Sequence, residues 1–354
     1  MKVLMLVPKL NDTGVINVVE NICSGAISRN LDIVIVALSS KKKEQNVLSF
    51  FESNNVKFRF VSNSSENFTP FYLTRLNKII RQECPDVIHS HSLKADLFCQ
   101  FIITAIPKVS TIHCDGSAEF VENYGFFRGG ALAWFQRLLA KKFKRVYVVS
   151  DGISEYLSKY GIDSLVVRNG IAGNNNEVYR AGDNGDGKKF ITATLINKRK
   201  NVEHLLKYFT KHPELNLEVL GEGPLLDPLK LKYDTENIVF RGHVKNPKSY
   251  IANADVYISA SKTEGLSIST LEAMSLNKKL ILSDIPGHRT LDQPQAGGKS
   301  IYFFDIKKIN SLEMAVNEYL QRQKEDSNTK SIFFNHFSNE KMAELYCDYY
   351  NQIC

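Results

Sequence analysis

The six cysteines, Cys23, Cys84, Cys99, Cys114, Cys347 and Cys354, form no C-x-x-C pair and no zinc-ligand spacing, which excludes a disulfide framework and a thiolate metal site. They are expected as reduced, mostly buried thiols. No apolar run approaches the roughly 18 residues that a membrane span needs. The N-terminal MKVLMLVPKLND is cut off by Pro8, Lys9 and Asn11 and lacks the h-region and cleavage site of a signal peptide. A cytoplasmic chain is therefore expected, with any membrane contact peripheral, on the inner face of the plasma membrane. There is no P-loop and no G-x-S-x-G elbow. The GEGP segment, Gly221–Pro224, lacks the third glycine of a dinucleotide fingerprint.

What is present is ordinary globular material: 354 residues, 43% hydrophobic and 23% charged, a length that suits two domains. The formal charge of +7 is uneven. Residues 1–170 hold 21 Lys and Arg against 15 Asp and Glu, whereas residues 171–354 hold 24 against 23. An excess confined to one half suggests a surface that meets an anionic partner, a membrane or a nucleic acid, with plain solvated lysine as the alternative.

Strand and helix patterns alternate from the first residue. Lys2–Pro8 is a bounded apolar run, Gly14–Arg29 has helical spacing, and Asp32–Ala37 is a second strand. Further strands are expected at 56–61, 86–89, 109–113, 145–150 and 165–169, with helices over 71–83, 93–104 and 130–143. Gly170–Lys189 is rich in Gly, Asn and Asp and reads as a linker. Beyond it strands at 190–195, 217–220, 238–240, 256–259 and 279–283 alternate with helical segments, and the tail from Leu312 is helical and polar. The pattern predicts two α/β domains, each a doubly wound parallel sheet covered on both faces.

In such domains the loops after strands hold ligands. After Val256–Ser259 comes SASKTEGLSISTLEAM, with Glu264 and, eight residues on, Glu272. Ser269 and Glu272 fit the S-x-x-E capping box, so a helix is expected to start near Ser269 or Thr270. Glu272 then either stabilises its own helix start or binds a ligand; Glu264 is either a solvated loop acid or part of a site. Free N–H groups at the helix start, after a turn at Gly265, would suit a diphosphate.

TEGLSISTLEAM resembles the E-x7-E motif of the retaining family 4 glycosyltransferases of GT-B fold. VVSDGISEYL, VVRNGI, KRKNVEHLLKYF, LEVLGEGP, IVFRGHV, NADVYISAS and SDIPGHR follow in the family's order, so the likeness covers nearly the whole chain. It implies two Rossmann-like domains facing across a cleft, residues 1–170 on the acceptor side and 171–337 binding a nucleotide sugar, with a helix at 338–354 returning to the first. It also implies roles. Lys200 would bind the donor phosphates, with N–H groups of Ser269, Thr270 and Leu271 beside it. Glu272 would accept ribose hydroxyls, Glu264 would face the sugar, and Gly242–Val244 would hold the base. Gly14, opening a helix after strand one, would let backbone approach phosphate or sugar. His113 would contact the sugar near the reacting carbon, and Asp115 and His91 would hold the acceptor. Each of these has a plainer reading as a surface charge or a structural strand-end residue.

Two positions depart from the family. Thr13-Gly14 stands for a Gly-Gly pair, and Leu195 stands where an arginine usually precedes the lysine by five residues. Arg199 or Lys198 would have to replace that guanidinium in the diphosphate clamp. No D-x-D triplet is present, so the metal-dependent single-domain design is not expected; Asp183 and Asp186 read as linker acids. No metal or other cofactor is expected.

The first-half charge concentrates in GGALAWFQRLLAKKFKRVYV, where Leu132, Trp134, Phe135, Leu138 and Leu139 mix with Arg137, Lys141, Lys142, Lys144 and Arg145. This suits a helix on an anionic membrane, or one whose apolar side packs on the sheet; Lys41–Lys43 would extend the face. No nucleic-acid motif appears. The resemblance implies a metal-independent retaining enzyme moving a sugar from a nucleotide-diphosphate sugar, a UDP-sugar, to a lipid-linked or surface glycan. A GT-B sugar-nucleotide 2-epimerase and a catalytically impaired scaffold are the alternatives.

Overall fold

The structure, a computed structural model, describes residues 1–11, 13–29, 31–39, 45–62, 71–173, 188–293 and 298–354. Lys41–Lys43, Asp183 and Asp186 lie outside the described residues. The chain divides into two units: Met1–Ala172 with Phe337–Cys354, and Gly173–His336.

The first unit runs β1 (Lys2–Lys9), α1 (Gly14–Ala26), β2 (Asp32–Ser39), α2 (Gln45–Ser53), β3 (Lys57–Phe60), α3 (Phe71–Glu83), β4 (Val87–His91), α4 (Leu93–Gln100), β5 (Lys108–Ile112), α5 (Gly116–Tyr124), α6 (Phe126–Ala140), β6 (Arg145–Val148), α7 (Asp151–Ser158) and β7 (Leu165–Val166). Its strands pair in parallel in the order β3-β2-β1-β4-β5-β6-β7. Val3 to Val7 of β1 and Val34 to Leu38 of β2 are wholly buried, because helices cover both faces; such strands read as continuous apolar runs rather than alternations. Strand order reverses between β1 and β4, which opens a crevice at their carboxyl ends.

The second unit runs β8 (Lys189–Ala193), α8 (Val202–Phe209), β9 (Asn216–Leu220), α9 (Leu226–Lys232), β10 (Ile238–Gly242), α10 (Pro247–Asn253), β11 (Val256–Ser259), α11 (Ile268–Ser275), β12 (Lys279–Ser283), α12 (Pro286–Arg289), β13 (Ile301–Phe304), α13 (Ser311–Arg322) and α14 (Thr329–His336). Its parallel sheet is ordered β10-β9-β8-β11-β12-β13, with the reversal between β8 and β11. Phe190, Phe209, Val256, Ile258 and Tyr319 centre its core.

The last helix, α15 (Asn339–Asn351), belongs to the first unit. Gly25 of α1 makes room for it, since a Cβ there would lie 2.3 Å from the Asn339 carbonyl. Tyr346 and Tyr350 then anchor it to the sheet, their hydroxyls 2.9 Å from Thr111 Oγ1 and 2.6 Å from His89 Nδ1.

Helix α5 escapes the sequence pattern. Among its nine residues Gly116 is the buried one, so no apolar period marks it. Helix α6 starts four residues before the expected Gly130, because Gly125, at φ +80°, both ends α5 and opens α6.

Asp96, on α4, is buried and accepts hydroxyl hydrogen bonds from Ser90 (2.5 Å) and Ser110 (2.7 Å). Burial raises its pKa to about 7, against the lowering effect of the two serine hydroxyls. The folded protein thus keeps a proton that the unfolded chain releases near the ordinary carboxylate value. Stability contributed by this group therefore falls as pH rises from about 4 to about 7 and is flat above. Asp96→Asn keeps an acceptor for both serines, and its unfolding midpoint is expected about 2–4 °C above wild type near pH 8, with no gain near pH 4. Thermal unfolding across that range checks this.

Candidate active site

The central feature lies where the second sheet reverses. β8 delivers Arg199 and Lys200 on the loop after it, and the neighbouring β11 delivers Glu264. Lys200 Nζ bonds Glu264 Oε1 directly. Arg199 donates to Glu264 Oε2 at 3.2 Å and to the Thr263 carbonyl at 3.0 Å. Ser261 Oγ donates to Oε1 at 2.8 Å. The Glu264 side chain is only 6% exposed. Burial alone would raise its pKa, but the Lys200 and Arg199 charges outweigh burial and hold it at about 2.

Backbone contacts fix this cluster. The Lys262 N–H donates to the Arg199 carbonyl (2.9 Å), and Asn201, at φ +52° before α8, donates its amide to the Ala260 carbonyl (3.2 Å). The GEGP loop lies against the same stretch: Ile196 N–H reaches the Glu222 carbonyl at 2.7 Å, and Thr194 N–H the Leu220 carbonyl at 2.9 Å. Gly287 meets the Glu264 backbone so closely that a Cβ would stand 2.3 Å from its carbonyl oxygen.

The expected capping box does not form. Helix α11 begins at Ile268 with Ser267 as N-cap, and Ser269 Oγ instead meets Tyr257 Oη at 2.9 Å. One expected donor is thereby corrected. The Leu271 N–H is spent on the Ser267 carbonyl (3.2 Å), because Leu271 is the first residue far enough along to close a helical bond. Ser269 and Thr270 stand in the first turn, whose N–H groups have no acceptor within the helix. Glu272, released from the box, has its pKa raised by burial, with Lys248 opposing. Gly242 ends the edge strand β10 at φ +67°, and its carbonyl accepts from the Gly221 N–H at 2.8 Å; Val244 follows, half-buried. Lys198 and Leu195 are exposed, whereas Arg199 reaches the cluster.

His288 and Ser261 carried no role in the sequence reading. The buried His288 donates from Nδ1 to the Ser283 carbonyl (2.9 Å), which leaves Nε2 as a bare buried acceptor with no partner among the described residues. Burial lowers its pKa, while the Glu264 charge opposes the shift. Ser261 had a legible sign, two residues past a strand end. His288 had none, because only folding brings α12 to Glu264.

In the first unit, Gly14 opens α1 at the end of β1, exposed, with open space where a Cβ would stand. His113 follows β5, and its Nε2 lies 3.1 Å from His91 Nδ1; burial lowers its pKa to about 4. His91 is fully buried, its ring centroid 4.1 Å from that of His89 and the two planes tilted by 37°. Its Nδ1 supports His113, and its Nε2 is buried with no partner among the described residues. Asp115, half-buried, caps α5 through Oδ1, which accepts from the Ser117 N–H (2.9 Å) and hydroxyl (2.7 Å).

Two doubly wound units, each with a crevice at the carboxyl ends of its strands, are the building blocks of the GT-B fold. Anabaena HepE, solved in complex with UDP, matches 99% of this chain and 100% of its own at a TM-score of 0.81 and 14% identity. Residues 13–172 match Glycosyltransferase Family 4, and residues 176–332 match Glycosyl transferases group 1. The chain belongs to the family 4 glycosyltransferases. The Escherichia coli O-antigen biosynthesis glycosyltransferase WclY is 26% identical over 290 residues, 76% of this chain and 79% of that protein. The E. coli UDP-Gal:alpha-D-GlcNAc-diphosphoundecaprenol alpha-1,3-galactosyltransferase is 21% identical over 340 residues, covering 86% and 87%.

Proposed function

We propose that this enzyme transfers a sugar from a UDP-sugar to a lipid-linked or surface-glycan acceptor in polysaccharide biosynthesis, of the O-antigen, capsule or exopolysaccharide kind. The observation that carries the reading is the Lys200–Glu264–Arg199 cluster at the β8/β11 reversal. As the glycosidic bond breaks, negative charge grows on the departing diphosphate, and cations fixed beforehand stabilise that charge more than they stabilise the intact donor. Lys200 and Arg199 supply those cations without a metal. Glu264 stays ionised at every physiological pH and would accept sugar hydroxyls; Glu272 would take the ribose. The names of WclY and of the diphosphoundecaprenol galactosyltransferase, and UDP and UDP-glucose bound to HepE, support the donor and acceptor classes. The acceptor's lipid would place the reaction at the inner face of the plasma membrane.

Retention of configuration would follow from same-face attack by the acceptor hydroxyl, its proton passing to the leaving phosphate. His113, whose pKa burial lowers to about 4, would stay neutral near pH 7 and could hydrogen-bond a sugar hydroxyl. UDP release with UDP-sugar and lipid-linked acceptor panels, in the presence of a chelator, tests the reading. Turnover dependent on both substrates supports it; conversion of a donor without acceptor would favour the epimerase, and no turnover the scaffold. Arg199→Ala is expected to lower turnover about tenfold or more, since Leu195 leaves the clamp without its other guanidinium. An unchanged rate would show that Arg199 does not compensate.

A further inference from the structure

Helix α6 has two sides of opposite character, and Phe127 and Trp134 are on the exposed one. Its buried stripe is made of Gly129, Ala133, Gln136, Leu139 and Ala140. Gly129 lets α5 cross so near that a Cβ would lie 2.4 Å from the Phe120 carbonyl. Packing on the unit is thus met by three small residues together with Gln136 and Leu139. The other side carries Phe127, Ala131, Trp134 and Leu138, spaced i, i+4, i+7 and i+11 on one face, all exposed. Phe127 is 87% exposed and Trp134 59%, and at the α5–α6 corner Phe126 is 76% exposed.

Past the end of α6, Lys141 and Lys142 stand in the turn, Lys144 follows it and Arg145 opens β6, with Arg128 near the start of α6; every one is exposed and none is in an ion pair with a described acid. Arg137 is not part of this set. Its guanidinium bonds Tyr156 Oη at 2.5 Å and stacks 4.0 Å over Tyr160. The acids of the hairpin, Glu119 and Glu122, are on α5, off this stripe.

We propose that the α5–α6 hairpin docks on an anionic lipid surface, with Phe126, Phe127 and Trp134 entering the headgroup–acyl boundary and Arg128, Lys141, Lys142, Lys144 and Arg145 meeting lipid phosphates. Charge decides the occupant. A second copy pairing through the same face would set five cations against five, whereas an anionic bilayer complements both the apolar stripe and the charge. The proposal extends the reading of a membrane-borne acceptor, and vesicles free of donor and acceptor test it apart from that reading.

Trp134 is the chain's single tryptophan, so its fluorescence reports this face alone. Vesicles of phosphatidylglycerol in phosphatidylcholine are expected to shift its emission to the blue and to carry the protein into the pellet, both reversed by salt. Phe126→Ser with Phe127→Ser, and separately Lys141→Gln, Lys142→Gln, Lys144→Gln and Arg145→Gln together, should each weaken binding about tenfold or more, with circular dichroism unchanged. Three results would overturn the proposal: no shift and no pelleting with anionic vesicles, equal binding to pure phosphatidylcholine, or a lipid-free shift that follows protein concentration and so marks self-association. Loss of vesicle binding with transfer to a short soluble acceptor retained would support docking as a separate function.

Discussion

Lys200→Ala is expected to lower kcat by about 10²–10³-fold, with a smaller effect on donor KM, the loss that follows removal of one fixed donor from a site of developing charge. Its position in the fold argues against a merely structural ion pair. Glu264 is held by three partners, so without Lys200 it still bonds Arg199 and Ser261. The folding cost is expected at about 1.5–3 kcal/mol, below that of orphaning a buried charge outright. Acid sensitivity should change as well. In wild type the ionised Glu264 contributes stability above about pH 4.5 that is lost as pH falls towards 2. Without the Lys200 ammonium, burial counts for more, the folded pKa rises, and this contribution shrinks. Steady-state kinetics alongside acid unfolding check the pair of effects; full turnover with only the stability lost would make Lys200 a loop clamp.

Gly221→Ala is expected to cost about 3–5 kcal/mol and to lower the unfolding midpoint of the second unit by about 10 °C. Two penalties coincide there. The backbone stands at φ +124°, and a Cβ would fall 1.9 Å from the Thr194 carbonyl, a backbone atom that moves only with β8. Gly242 provides the internal control, with φ +67° but open space around its Cβ position. Gly242→Ala should therefore cost only about 1–2 kcal/mol, the left-handed penalty alone. Equal losses at the two sites in calorimetry would mean that the close approach to Thr194 is relieved by small shifts. Because the loop at Gly221 backs the segment that carries Arg199 and Lys200, Gly221→Ala should lower turnover as well as stability.

The sequence was most legible where chemistry is local. Buried parallel strands show as unbroken apolar runs, so β1, β2, β11 and β12 could be read directly, whereas α5, which buries one glycine, was silent. Lys200 and Glu264 were legible as a motif and as residues at strand ends. That they form one ion pair was not, since 64 positions separate them and only the adjacency of β8 and β11 brings them together. Leu271 misled for the same reason: its place at a helix start suggests a free donor, but its N–H is already bonded to the Ser267 carbonyl.

By itself, then, the sequence determined two parallel α/β units, the family and the charged residues at the strand ends, because these depend on apolar periodicity and on residue type along the chain. The tertiary structure alone decided that the Leu271 N–H is already bonded, that Arg199 rather than Lys198 joins the cluster, and that Phe127 and Trp134 of α6 are exposed. Hydrogen-bond valence and helix rotation are settled by neighbours distant in sequence, so only folding assigns them.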